Sequence, residues 1–385
     1  MIEHARAPWV NTSTTTNSAP LPEPTRFALI GAGWRSRIFV DIARARPDLF
    51  TLTAVLARRP AAARERLGAD VPMVEDLDSL GRSRPDMVVV CLPREVMPRW
   101  IEALVDRGLV VLCETPPAGD LSELRALWSR VGDANAVQVA EQYLRMPENA
   151  AALTVSHSGL IGAPTSVHVS STHDYHAVSM IRGLLGAGRG PATVRSHRRT
   201  SPLADPLDPD GWTGDIEPRP RTTTLATIDF DDAGVGLYDF TENQWWNPLR
   251  QDHLTVRGTR GEIRDGSVVR MLDATTPVTA ELRRRRTGEG MNLEGSDTAT
   301  ISLGDRVLYR NPFEGGRFND DEIAVATIMA ETGEWARDRP ARDAAAEGPY
   351  PLADACHDHA IACAFADATD EPTRVAGEPW MSGRH

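Results

Sequence analysis

The stretch from Arg26 to Ser36, RFALIGAGWRS, constrains this chain more tightly than any other. An apolar run, Phe27 to Ile30, enters Gly31-Ala32-Gly33-Trp34-Arg35-Ser36, and the amphipathic pattern RIFVDIARA comes next without a break. This order predicts a strand, a tight turn and a helix. Two glycines two residues apart let backbone pass close to a ligand, and a small third residue lets the helix pack on the strand. The helix N-terminus then faces any phosphate held at the turn. Ser36 stands where a third glycine is usual, small enough for the packing and with a hydroxyl able to donate to a phosphate. Gly31, Gly33, Trp34, Arg35 and Ser36 are accordingly read as residues that bind a dinucleotide.

The segments beyond Ser36 put the turn in its proper setting. Helical pattern is read over 36–46, 60–67, 96–107 and 120–132, and apolar strands over 51–57, 71–74, 86–93, 110–114 and 136–140. Continuous apolar strands separated by helices imply a parallel sheet buried on both faces. After Pro147 the texture changes. Helices read at ENAAALTVSHSG and AVSMIRGLLG flank a strand, SVHVSST, and closely spaced strands then run from TTLATIDFD to RVLYRN with no helix between them. The segment 201–221, rich in Pro, Asp and Gly, reads as a long loop. Helices return at DDEIAVATIMAETGEWAR and LADACHDHAIACAFADA. The expected fold is α/β, an N-terminal Rossmann domain (26–146) followed by an α+β domain (147–385) with an open, mostly antiparallel sheet. Residues 1–25 carry too little apolar surface to offset the entropy of ordering and read as a disordered tail.

Composition narrows the function classes. With 385 residues and a net charge of −12, nucleic acid and anionic membrane surfaces would be repelled, and a small-molecule substrate is expected instead. Cys91, Cys113, Cys356 and Cys363 show no CxxC spacing, so neither a disulfide framework nor a zinc site is indicated. No apolar run approaches the roughly 20 residues that span a bilayer, and no apolar leader is seen. A cytoplasmic protein is expected.

Several junctions together resemble the Gfo/Idh/MocA family of NAD(P)-dependent oxidoreductases. They are the glycine turn, VVVCLP at the end of the fourth strand, VLCETPPA where that family ends its fifth strand in Glu-Lys-Pro, SGLIGAPTSVHV at the helix-to-sheet crossing, and HDYHAVSMIRGLLG at the active-site helix. The resemblance implies that Leu92, Pro93, Glu114, Thr115 and Gln142 border the cofactor. It also implies that His176 lies at the catalytic histidine position. The same resemblance brings out three departures. Thr115 replaces the family's catalytic lysine, and Ser179 replaces its aspartate. Where family members often carry Asn and His after Pro93, this chain has Arg94 and Met97.

Thr172-His173-Asp174-Tyr175-His176 gathers two imidazoles, a carboxylate and a phenol just before a helix. His176 suits proton transfer at neutral pH, since an imidazole titrates near 6.5. Tyr175 and His173 are further catalytic candidates, and Asp174 either fixes an imidazole tautomer or caps the helix. Two imidazoles without a third ligand make a thin case for a metal, and none is expected. At the end of the second strand, Val55-Leu56-Ala57-Arg58-Arg59 offers no acid for a ribose and two guanidiniums for a 2′-phosphate. Arg58 and Arg59 thus favour NADP(H), with NAD(H) the alternative. Trp245 and Trp246 read as core, subunit contact or a stacking platform for a ring.

The function expected is hydride transfer to or from a sugar, glycoside or cyclitol, with His176 standing in for the lysine. The alternatives are a redox-neutral lyase or epimerase with tightly held NAD(H), and a dinucleotide-binding sensor without catalysis. A sheet with one face free of helices calls for a partner copy, so a homodimer or homotetramer through that face is expected.

Overall fold

The computed structural model describes residues 23–288, 295, 297–339, 346–366 and 371–381. Of the segment read as a tail, residues 1–22 lie outside the described residues; its last residue, Thr25, is already in a strand.

Six parallel strands form the first sheet in the order β3-β2-β1-β4-β5-β6. They are β1 (Thr25–Ile30), β2 (Phe50–Leu56), β3 (Met73–Val74), β4 (Met87–Val90), β5 (Val111–Cys113) and β6 (Val137–Val139). The order reverses beside β1, so the carboxyl ends of β1 and β4 open the crevice where such sheets hold ligands. Met87 to Val90 and Val111 to Cys113 are wholly buried, as strands covered on both faces should be. The covering helices are α1 (Trp34–Ala45), α2 (Pro60–Leu67), α3 (Leu77–Arg82), α4 (Met97–Val105) and α5 (Leu121–Val131). The short α3, capped by Asp76, escapes the sequence reading; one turn and a half gives little periodicity.

The second unit opens with α6 (Pro147–His157), β7 (Pro164–Ser170) and α7 (Asp174–Leu185). Its strands continue as β8 (Ala192–Leu203), β9 (Leu207–Asp208), β10 (Gly211–Trp212), β11 (Arg219–Asp229), β12 (Val235–Thr241) and β13 (His253–Gly258). They end with β14 (Gly261–Arg264), β15 (Ser267–Met271), β16 (Pro277–Arg286), β17 (Thr298–Leu303) and β18 (Arg306–Arg310). Helices α8 (Asp320–Asp338) and α9 (Leu352–Ala366) and strand β19 (Thr373–Val375) complete the chain. Eleven strands form one sheet, β18-β17-β16-β15-β14-β13-β7-β12-β11-β8-β19, antiparallel except where β7 meets β12. Alternation sorts its faces. Val167 and Val169 of β7 are buried on the helix side, while Ser166 and His168 point the other way and stay partly exposed.

The loop expected over 201–221 is corrected. Its first residues extend β8, its last begin β11 along an eleven-pair ladder, and β9 and β10 pair between them. The strand β8 escapes the sequence reading because its polar, arginine-rich run, Arg195 to Thr200, lacks an apolar face.

Two late segments return to the first sheet and build the site. Helix α8 packs against α1 and β1, and Arg337 pairs with Asp86 at 2.8 Å. Residues ahead of α9 cover the exposed edge of β6. Val139 N–H donates to Tyr350 O at 2.9 Å, and Tyr350 N–H donates to the Gln138 side chain at 2.9 Å. This strap delivers Tyr350 and the first turns of α9 to the carboxyl ends of β5 and β6.

Candidate active site

Gly31 has a φ of +108°, and a Cβ there would lie 2.1 Å from the Cys91 carbonyl oxygen. Only glycine makes this turn without displacing the end of β4. Gly33 differs. It caps α1 in extended geometry, and a Cβ on it would meet nothing within 4 Å. The N-terminus of α1 carries no side-chain cap and no acidic residue in its first turn, so its backbone donors are left for an anion. The cradle fits the pyrophosphate of a dinucleotide. Ser36 is 0% exposed beside the Cys91 thiol, where it fills the small-residue position between helix and strand. Trp34 is 82% exposed at the mouth.

Arg35 reaches out of the first turn of α1 to Glu114 at 2.7 Å and to Asp321 at 2.9 Å. Burial works against its charge, but the two carboxylates hold the guanidinium protonated well beyond its ordinary range. Asp321 also accepts from Gln142 Nε2 at 3.0 Å. A capping box at Asn319 and Glu322 fixes this first turn of α8. Of the expected cofactor residues, Arg35 and Gln142 thus meet on one acid that the sequence does not single out, with Glu114 on the same guanidinium. In the sequence, Asp321 is indistinguishable from its capping neighbours Asp320 and Glu322.

Arg58 and Arg59 lie exposed at the carboxyl end of β2, and neither forms an ion pair among the described residues. Arg66, on α2, donates to the Ala32 carbonyl at 2.6 Å and adds a third guanidinium on this side of the turn. Leu92 and Pro93 lie at the end of β4, partly and fully exposed.

The histidine cluster lies at the start of α7. His176 is 6% exposed, and its Nδ1 donates to Glu141 Oε2 at 2.6 Å. Glu141 follows β6 at the carboxyl edge of the first sheet and is itself buried. A carboxylate accepts only, so the proton sits on Nδ1, and Nε2 is left as a base with no hydrogen bond among the described residues. The imidazole is clamped between Tyr143 at 4.6 Å and Tyr175 at 4.3 Å. The sequence does not pair Glu141 with His176, because 35 residues separate them.

Tyr175 turns its hydroxyl toward Thr115, whose peptide bond to Pro116 is cis. Burial raises this phenol well above its usual range. His173 stacks edgewise on Trp245 at 4.5 Å and stands 5.1 Å from His176. Burial, then the neighbouring His176, lower His173 to about 3, so it is a neutral ring at physiological pH. Trp245, 45% exposed, continues this wall outward. Asp174 does neither of the things expected of it. His173 is the N-cap, Glu141 fixes the tautomer, and Asp174 faces the Tyr238 hydroxyl at 3.5 Å. Ser179 brings no charge to the site; its hydroxyl lies 2.9 Å from that of Tyr350. Among the described residues no group of three or more His, Cys, Asp or Glu side chains gathers as a metal site, and no helix is long and apolar enough to cross a membrane.

A parallel sheet with this turn, followed by an open antiparallel sheet, defines a Rossmann-type dinucleotide-binding architecture with an appended sheet domain. Residues 25–142 match the Gfo/Idh/MocA family, an oxidoreductase family with an NAD-binding Rossmann fold. No curated protein matches the chain in sequence. Solved structures share the whole fold. An NAD-binding oxidoreductase from Klebsiella pneumoniae has 15% identity and a TM-score of 0.65, over 92% of this chain and 100% of that one. A myo-inositol dehydrogenase from Corynebacterium glutamicum ATCC 13032 has 15% identity and a TM-score of 0.61, over 92% and 99%. Levoglucosan dehydrogenase, in complex with NADH and levoglucosan, has 18% identity and a TM-score of 0.61, over 91% and 99%.

Proposed function

We propose that this protein is an NAD(P)-dependent oxidoreductase that transfers hydride to or from a hydroxyl-bearing carbon of a sugar, glycoside or cyclitol. The observation that carries the reading is the buried His176–Glu141 pair at the carboxyl end of the first sheet, with Nε2 left without a hydrogen bond among the described residues. A nicotinamide dinucleotide, its pyrophosphate held at the Gly31 turn and the N-terminus of α1, would accept or supply the hydride. His176 Nε2 takes the hydroxyl proton as the carbinol is oxidised, and Glu141 stabilises the imidazolium that results. Tyr175, beside Thr115, is protonated at neutral pH and serves as a hydrogen-bond donor to the same oxygen. His173 and Trp245 supply a flat, uncharged wall suited to the C–H face of a ring. Likeness to dehydrogenases of myo-inositol and levoglucosan supports a polyhydroxylated substrate.

Arg58, Arg59 and Arg66 support NADP(H) over NAD(H). The helix-free face of the second sheet, with Leu225 and Val269 exposed on it, supports a homodimer or homotetramer. Mass spectrometry of the protein as purified, followed by titration with each dinucleotide, tests the cofactor assignment. Tighter NADP(H) binding that is lost in Arg58→Ala/Arg59→Ala supports it, and equal or tighter NAD(H) binding overturns it.

A further inference from the structure

Beside Glu141 lies a recess of about 10 Å³, the space that one water centre requires. Its walls include Thr115, Glu141, Tyr175, Tyr350, Asp358 and His359. Asp358, Tyr350 and His359 carry charge or a dissociable proton there, and none of the three belongs to the proposed proton transfer. Asp358, on α9, is 2% exposed. It accepts from Arg182 Nη1 at 2.5 Å and from the Tyr350 hydroxyl. His359 is 8% exposed, and neither ring nitrogen has a hydrogen-bond partner beyond a glancing approach to the Gly119 backbone. An imidazole so deeply buried without a partner, on the wall of a water-sized recess, is the mark of a solvated site.

We infer that this recess holds a water that joins the His176–Glu141 pair to Asp358, so that the positive charge taken up from substrate is passed out of the cleft into the protein during the hydride step. The inference rests on the oxidoreductase reading. The substrate hydroxyl proton passes to His176 Nε2 as the hydride leaves carbon. The imidazolium passes its Nδ1 proton to Glu141, which protonates the water as the water protonates Asp358; once product leaves, Nε2 releases the substrate's proton to solvent and the relay runs back, restoring the resting Nδ1–H tautomer. One proton moves and no further electrons change hands. Asp358 is built to accept it. The Tyr350 hydroxyl lies between Asp358 Oδ2 and Ser179 Oγ, so it can donate to the carboxylate or turn to Ser179 when the acid is protonated. Burial raises Asp358 to about 6, against the opposing pull of Arg182 and Tyr350. Facing it are Arg182 from α7, Tyr350 from the strap, Asp354 from its own helix and Glu141 across the recess. His359, on the recess wall, lies within electrostatic reach of Arg94 and Asp120.

The test does not require the substrate. A crystal structure at a resolution that orders internal water, together with ring ¹⁵N shifts of the histidines from pH 4 to 8, is collected for the full chain. The variants are Asp358→Asn, Tyr350→Phe and Ala355→Val, the last filling the recess without changing charge. An ordered water touching Glu141 and Asp358 is expected, with a step in the His176 shifts near pH 6 that disappears in Asp358→Asn. The same step shrinks at least twofold in Ala355→Val, which a purely structural Asp358 would leave unchanged. Should Asp358→Asn not fold, Ala355→Val and Tyr350→Phe carry the test. A dry recess, or His176 profiles in Ala355→Val and Tyr350→Phe that superimpose on the wild type, overturns the inference. Polyol oxidation by a protein with a dry recess would refute the relay alone; a hydrated, coupled recess in a protein inert to polyols would refute the substrate reading instead.

Discussion

Glu141 Oε2 accepts the Nδ1 proton of His176 across 2.6 Å, tying the end of β6 to the first turn of α7. The bond joins the two units of the chain at the point where cofactor and substrate would meet. It sets the tautomer and holds the ring between two tyrosines.

Glu141→Gln keeps the shape and removes the charge. Without the carboxylate the imidazolium loses its partner and the tautomer is no longer fixed, so turnover should fall about 10²- to 10⁴-fold. Dinucleotide affinity should stay within about twofold, measured by nucleotide fluorescence. An unchanged rate would remove Glu141 from the mechanism.

The two turn glycines should separate fold from binding. Gly31→Ala places a Cβ 2.1 Å from a carbonyl oxygen at a φ of +108°, and a loss of about 1–3 kcal/mol in denaturant unfolding is expected. Gly33→Ala meets nothing within 4 Å and should leave stability within about 0.5 kcal/mol. Its methyl occupies the path of the pyrophosphate, so dinucleotide binding should weaken about tenfold or more.

Asp321→Asn should tighten dinucleotide binding. Arg35 is shared between Glu114 and Asp321, leaving net negative charge at the α1 N-terminus where a phosphate would lie. Removing one carboxylate leaves that end more positive, and affinity should rise about two- to fivefold at low salt. Isothermal titration at two salt concentrations checks this, since the gain should shrink as screening grows.

Stability should fall as the solution is acidified from pH 6.5 to 4. Burial lowers His173 and His357 to about 3 and His359 to about 4, so each takes up a proton on unfolding in this window. Their contribution is present above pH 6.5 and lost as the pH drops toward their folded values. Asp358, raised to about 6, acts the other way, and Asp174 and Asp252 share its direction. Three histidines against one fully buried acid and two partly buried ones leave a net uptake of about one to two protons. The slope is then roughly 1–3 kcal/mol per pH unit, measurable by urea unfolding at stepped pH.

The first unit is legible in the sequence because its strands are apolar throughout and its helices periodic; the helix expected over 60–67 is α2 to the residue. The second unit is legible as closely spaced strands, but not β8, whose alternation is polar on polar. At the site, His176 and Tyr175 stand out by residue type and by resemblance. Glu141, Asp321 and Asp358 do not, because what matters about each is a partner 35, 286 or 176 residues away. Capping chemistry further conceals Asp321, and helix periodicity conceals Asp358 in DACHDHA.

The most direct measurement follows dinucleotide reduction at 340 nm by wild type and His176→Ala, with myo-inositol, levoglucosan and a panel of related sugars and glycosides. Dinucleotide binding is measured in parallel. Reduction by the wild type with at least one polyol is expected, and a loss of about 10²-fold or more in His176→Ala with cofactor affinity retained. Wild-type turnover by His176→Ala, or tight dinucleotide binding with no reduction across the panel, would contradict proton transfer by His176 to and from a polyol.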